Sequence, residues 1–128
     1  MTKILLVEDH LEAADALTIW LESAGYTVIV AYDANQAMAL IASQKPDLVI
    51  TDCKLPGPSG IDLIKWTRGP LSPLRHLPII ALTAYYPEFA DQGLKAGADR
   101  MFSKPTDAHI ILANIRNLLD LGNLPIQN

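Results

Sequence analysis

Five short apolar runs, each followed by a stretch of helical or turn-forming pattern, constrain this chain more than any other feature. The runs are "KILLV" (3–7), "YTVIVA" (26–31), "DLVIT" (47–51), "LPIIALT" (77–83) and the shorter "RMFS" (100–103). They are rich in Ile, Val and Leu and show little polar alternation. A strand with one wet face alternates, whereas one covered on both faces does not, so these read as parallel strands buried between helical layers.

The intervening segments carry helix signals. Leu11, Ala14, Leu17, Leu21 and Ala24 recur at helical spacing, and Gly25 follows as a stop. Asp33 is placed as an N-cap with Gln36 at N3, ahead of Ala37, Leu40 and Ile41, and Pro46 lies beyond the end. Gly60 to Thr67 reads as a third helix ended by Gly69-Pro70. Pro87 suits the first turn of a fourth, with Glu88 beside it, running to Gly97. Thr106 is the expected cap of a fifth, which carries Ile111, Ile115, Leu118 and Leu119. Five strands alternating with five helices through short connections imply a three-layer α/β/α sandwich around a parallel sheet.

Composition narrows the function classes. The chain has 128 residues, half of them hydrophobic, enough for one domain with a real core. We expect that domain over 1–121, with 122–128 ("GNLPIQN") as a tail or the start of a linker. The net charge of -4 and the scattered ten Lys and Arg argue against direct nucleic-acid binding. The lone Cys53 excludes an internal disulfide framework, and no signal peptide or run of membrane-spanning length is present, so a cytoplasmic setting is expected.

Working residues of open α/β sheets gather beyond the carboxyl ends of the strands, at the topological switch point. The polar outliers fall there: Glu8 and Asp9 close the first strand, Asp52 the third and Thr83 the fourth, and Lys104 follows the fifth. Clustered carboxylates repel one another unless a cation joins them, which implies a hard divalent ion such as Mg²⁺. Asp52 is then available as a nucleophile toward phosphorus, with Lys104 and Thr83 as counter-charge and hydrogen-bond donor to phosphoryl oxygens.

These residues carry a family resemblance. The segments "LLVEDH", "DLVITDCKLPGPSG", "IIALTA" and "AGADRMFSKP", in this order between about residues 3 and 120, resemble the receiver domain of two-component response regulators. The resemblance implies strand order 2-1-3-4-5. It implies phosphotransfer to Asp52 from the phosphohistidine of a histidine kinase or phosphotransfer protein. It implies Mg²⁺ held by Glu8 or Asp9 with Asp52 and the Lys54 main-chain carbonyl. Thr83 and Phe102 would be switch residues, Lys104 would precede a cis peptide to Pro105, and the face of the fourth helix, fifth strand and fifth helix would signal to an output domain or protein, or dimerise. The domain would be a signalling receiver, promoting its own phosphorylation and dephosphorylation, rather than an enzyme acting on a separate substrate. It would be free-standing or part of a longer regulator or hybrid kinase.

Blander readings exist for each residue. Glu8 and Asp9 could simply charge the start of the first helix, Thr83 could be an ordinary β-former, Phe102 a core residue and Lys104 a loop lysine. Cys53 suits a small buried filler, and His10, His76 and His109 share no metal-ligand spacing. The Pro-rich "TRGPLSPLRHLP" segment, with Leu71, Leu74 and Leu77, is either a packed loop or a partner surface. Lys54 and Tyr85, two positions past Asp52 and Thr83, are expected to overhang the phosphoryl group and set its lifetime. A flavin-nucleotide binder would need a phosphate-cradling loop where Glu8 and Asp9 stand, a dinucleotide enzyme would need GxGxxG, and an aspartyl-phosphate phosphatase would need an acid at the place of Lys54. The remaining alternative is a receiver-like interaction scaffold that is not regulated by phosphorylation.

Overall fold

The computed structural model describes residues 1–122. Five strands and five helices alternate strictly: β1 (Lys3–Val7), α1 (Leu11–Ser23), β2 (Thr27–Ala31), α2 (Ala34–Gln44), β3 (Leu48–Asp52), α3 (Gly60–Arg68), β4 (Ile79–Thr83), α4 (Tyr86–Ala96), β5 (Arg100–Ser103) and α5 (Ala108–Gly122). The strands form one parallel sheet in the order β2-β1-β3-β4-β5, as expected. The tail expected at 122–128 lies outside the described residues except for Gly122, which belongs to α5.

Strand parity builds the two layers. Leu5, Val7, Val49, Ile79, Ala81 and Met101 pack with Ala37 and Ile41 of α2 and Leu63 and Ile64 of α3. The alternate residues Ile4, Leu6, Leu48, Ile50, Ile80 and Leu82 pack with Ala14 and Leu21 of α1 and with Ile111 and Ile115 of α5. Both faces are dry, which is why the strands read as unbroken apolar runs.

Local signals placed most element ends. The Asp33 carboxylate accepts from the Gln36 N–H at 2.7 Å, while the Gln36 side chain accepts from the Tyr32 N–H at 2.8 Å. Gly25 sits at φ +97°, a conformation that favours glycine, just past α1. Pro87 occupies the first turn of α4. β4 starts at Ile79 rather than Leu77, since Pro78 has no N–H for the ladder, although its carbonyl accepts from Val49 N–H at 2.9 Å.

One expectation needs correction. Thr106 does not cap α5: its hydroxyl donates to the Ser103 carbonyl, and the Asp107 carboxylate accepts from the His109 N–H at 2.8 Å instead. Leu11 begins α1 but is 62% exposed, because the buried stripe of that helix runs through Ala14 and Leu21. The Pro-rich segment is a packed loop over most of its length. Of its three leucines, Leu77 is buried, Leu74 lies against the core and Leu71 projects outward. Arg68 secures it, donating from Nη1 to the carbonyls of Arg75 (2.9 Å) and Leu77 (2.6 Å), from Nε to that of Gly97 (3.0 Å), and pairing through Nη2 with Asp99 at 2.9 Å. Among the described residues no helix is long and apolar enough to cross a membrane.

Candidate functional site

The strand order makes β1 and β3 neighbours with α1 and α3 leaving from their carboxyl ends, so Glu8, Asp9 and Asp52 converge at one edge of the sheet. Asp52 is the last residue of β3, shares the parity of Leu48 and Ile50, and is nearly buried. Glu8 is also buried. An open cleft of about 510 Å³ lies above them, bordered by Asp9, Asp52, Lys54, Pro56, Tyr85 and Lys104.

Lys104 joins the acids. Its ammonium donates to Glu8 Oε2 at 2.5 Å and to Asp52 Oδ2 at 3.0 Å, with the cis peptide to Pro105 directly after it. Burial pulls the Lys104 pKa down, but the hydrogen bonds to Glu8 and Asp52, together with the charges of the two carboxylates, outweigh it and leave the value raised. The lysine is therefore a permanent cation at physiological pH. Asp52 Oδ1 is also approached by the Lys54 N–H at 3.4 Å, and Glu8 Oε1 accepts from the His10 N–H at 3.1 Å.

Asp9 is different. Its Oδ1 is buried and has no hydrogen-bond partner. An orphaned carboxylate oxygen grouped with the Glu8 carboxylate, at a cleft that Asp52 also borders, is a donor set suited to a hard divalent cation, and the residues present fit Mg²⁺ on that ground, although Asp52 stands outside the close group that Glu8, Asp9 and His10 form. The side chain of His10 lies with those of Glu8 and Asp9, their potential ligand atoms within 4.8 Å of one another. The sequence reading gave His10 no chemistry, and its adjacency to the acidic pair was the signal for this grouping. An imidazole nitrogen suits Zn²⁺ or Cu²⁺ better than Mg²⁺, and His10 already serves as the N-terminal boundary of α1.

The remaining predicted residues are placed around this centre. Thr83 ends β4, fully buried, and its Oγ1 accepts from the Tyr85 N–H at 2.9 Å. Phe102 lies on β5, half-buried against the α1/α5 side of the core, and does not border the cleft. Lys54 and Tyr85 both border it and touch each other, the ammonium 4.7 Å from the ring centroid. Cys53 is fully buried, and its thiol is pushed up to about 11 by burial first and by the Asp52 charge second. The thiolate is inaccessible at neutral pH, which fits a filler.

One positioning residue escaped the sequence reading. Gly60, the first residue of α3, donates its N–H to the Cys53 carbonyl at 2.8 Å, and a Cβ there would collide with the Asp52 carbonyl oxygen. Only the nearby "PGPSG" pattern hinted at a tight return of the chain.

The family model described as the response regulator receiver domain matches residues 4–116. This chain belongs to that family. The receiver domain is 37% identical over 117 residues to the phosphate regulon transcriptional regulatory protein PhoB of Pseudomonas aeruginosa, covering 91% of this chain and 51% of that protein. It thus spans about half the length of that relative. Among solved structures it superposes on the signal receiver domain of a signal transduction histidine kinase from Syntrophus aciditrophicus with a TM-score of 0.89 at 29% identity, covering 100% of this chain and 97% of the other. A receiver domain protein of Methanospirillum hungatei gives 0.85 at 31% identity, covering 94% of each chain. The receiver family is thereby shown, as is the fold.

Proposed function

We propose that this receiver domain, over residues 1–121, accepts a phosphoryl group on Asp52 from the phosphohistidine of a histidine kinase or phosphotransfer protein. The observation that carries the reading is the Lys104 ammonium held between Glu8 and Asp52, at a cleft that Asp9 with its unpartnered oxygen also borders. In the step, an Asp52 carboxylate oxygen forms a bond to phosphorus as the phosphorus–nitrogen bond of the donor breaks, and the imidazole leaves and recovers a proton from water. Lys104 stabilises charge on the phosphoryl oxygens, and Thr83 donates its hydroxyl to one of them. Glu8, Asp9, Asp52 and the Lys54 main-chain carbonyl would hold Mg²⁺, which when bound neutralises the approaching phosphate and carboxylate charges.

Docking of the donor is supported by a groove of about 730 Å³ beside the site, bordered by Leu17, Trp20, Pro105, Ala108 and Ile111 between α1 and α5. Signalling would pass from Thr83 and Phe102 to the face of α4, β5 and α5, where Leu94 and Ile110 are about half exposed and could meet an output domain or a second copy. Lys54 and Tyr85 screen the cleft and slow hydrolysis of the aspartyl phosphate.

Mass spectrometry after treatment with acetyl phosphate and Mg²⁺ tests the reading. One added phosphoryl group on wild type and none on Asp52→Asn is the expected result. Failure of wild type to label would leave a protein-interaction scaffold as the function.

A further inference from the structure

We propose that Lys54 and Tyr85 form a latch between the acceptor loop and the first turn of α4, and that a phosphoryl group on Asp52 opens it. This rests on phosphorylation of Asp52 as read above, and adds a second route to α4 beside Thr83 and Phe102.

The latch follows from who holds Tyr85. Its side chain does not cap α4, although the residue stands at the N-cap position. Its ring instead receives the Lys54 ammonium, 4.7 Å from the centroid, and packs edge-to-face with Phe89 at 6.3 Å and 79°. Its N–H donates to Thr83 Oγ1, and its carbonyl accepts from the Glu88 and Phe89 amides at 3.1 Å each. Lys54 and Thr83, two groups at the reacting edge that can donate to phosphate, are therefore both engaged with one residue.

That residue adjoins a helix whose first turn is largely exposed. Along α4, Gly93 is buried and Phe89 and Ala96 pack against the core, whereas Tyr86, Pro87 and Glu88 are exposed, so the first turn rests on Phe89 and on its neighbour Tyr85. Lys54 and Tyr85 also form the wall between the acceptor cleft and a second cleft of about 360 Å³ bordered by Cys53, Leu55, Ser59 and Phe89.

A phosphoryl group shifts the balance. It brings about two negative charges within reach of Lys54, and a charge-assisted hydrogen bond to phosphate outcompetes an exposed cation–π contact. Thr83 turns to the same group. Tyr85 then loses its cation, and the first turn of α4 loses its tie to the acceptor loop. The change is a population shift driven by contacts made only in the phosphorylated form.

Amide hydrogen exchange of Glu88 and Phe89, measured on the full chain with and without beryllofluoride and Mg²⁺, reads the latch directly. Without activation, Lys54→Met should exchange these amides several-fold faster than wild type. Beryllofluoride should speed exchange in wild type by a larger factor than in the variant, which keeps only the Thr83 route. Equal exchange in the two unactivated proteins, with both folded by near-ultraviolet circular dichroism, overturns the latch. So does unchanged wild-type exchange in protein whose Asp52 demonstrably labels with acetyl phosphate. Absence of wild-type labelling strikes the phosphorylation reading instead, and the comparison of unactivated proteins still decides whether Lys54 restrains α4.

Discussion

Gly60 and Asp52 touch through their backbones. A Cβ at position 60 would strike the Asp52 carbonyl oxygen and stand 2.9 Å from both the Asp52 carbonyl carbon and the Cys53 Cα, none of which can swing aside. Gly60→Ala is therefore expected to destabilise by about 1–3 kcal/mol despite the higher helix propensity of alanine, and to slow labelling of Asp52 by acetyl phosphate. Gly93→Ala is the control, since its Cβ would meet the Sδ and Cε of Met101, the movable end of a flexible side chain. Thermal melts should place Gly93→Ala within about 1 kcal/mol of wild type, the helix-propensity gain offsetting the repacking.

Lys104→Met removes the ammonium that joins Glu8 to Asp52 and leaves two nearly buried carboxylates facing each other. Urea unfolding at neutral pH without metal should show a loss of about 1–3 kcal/mol, the cost of stranding buried polar groups. Added Mg²⁺ should recover part of that stability, and phosphorylation should be slowed at saturating Mg²⁺.

Asp9→Asn has the opposite profile. The Asp9 oxygen makes no hydrogen bond, so its charge contributes repulsion rather than support in the metal-free protein. The melting temperature in a chelator should be unchanged or higher, while calorimetric titration should show Mg²⁺ affinity reduced by about tenfold or more, roughly 1.4 kcal/mol.

The start of α3 titrates in a defined direction. Ser59 Oγ accepts from the Asp62 N–H at 3.0 Å, and the Asp62 carboxylate accepts from the Ser59 N–H at 3.0 Å. That backbone hydrogen bond, followed by the Ser59 side chain, holds the Asp62 pKa below its ordinary 3.8. A depressed folded-state value stabilises above the unfolded value and loses its contribution as the pH falls through the folded one. Ser59→Ala should cost about 1 kcal/mol at pH 7. Asp62→Asn should flatten the acid limb of stability below about pH 4 while leaving that limb's shape above pH 5 unchanged.

Locally encoded features were legible. The Asp33 cap, the Gly25 stop and the Pro87 start each depend on a few neighbouring residues, and the unbroken apolar strands announce burial on both faces. The convergence of Glu8, Asp9, Asp52 and Lys104 was legible because strand phasing alone sends strand ends to one edge. Thr106 misled because Asp107, an equally good capping type, stands beside it, and the Thr106 hydroxyl is taken by Ser103. The outward turn of Leu11 and the contact of Lys54 with Tyr85 depend on how helices seat on the sheet, and nothing in the flanking residues encodes that.

The salt bridge from Lys104 to Glu8 spans 96 positions of sequence. During synthesis the ribosome delivers β1 and β3 with their carboxylates well before the lysine that reconciles them. A nascent chain can pair β1, β2 and β3, but its acidic edge stays electrostatically open until β5 docks. On the proposed reading, the cation that phosphoryl transfer to Asp52 needs therefore arrives last, just after the final strand, and a half-made domain would lack it.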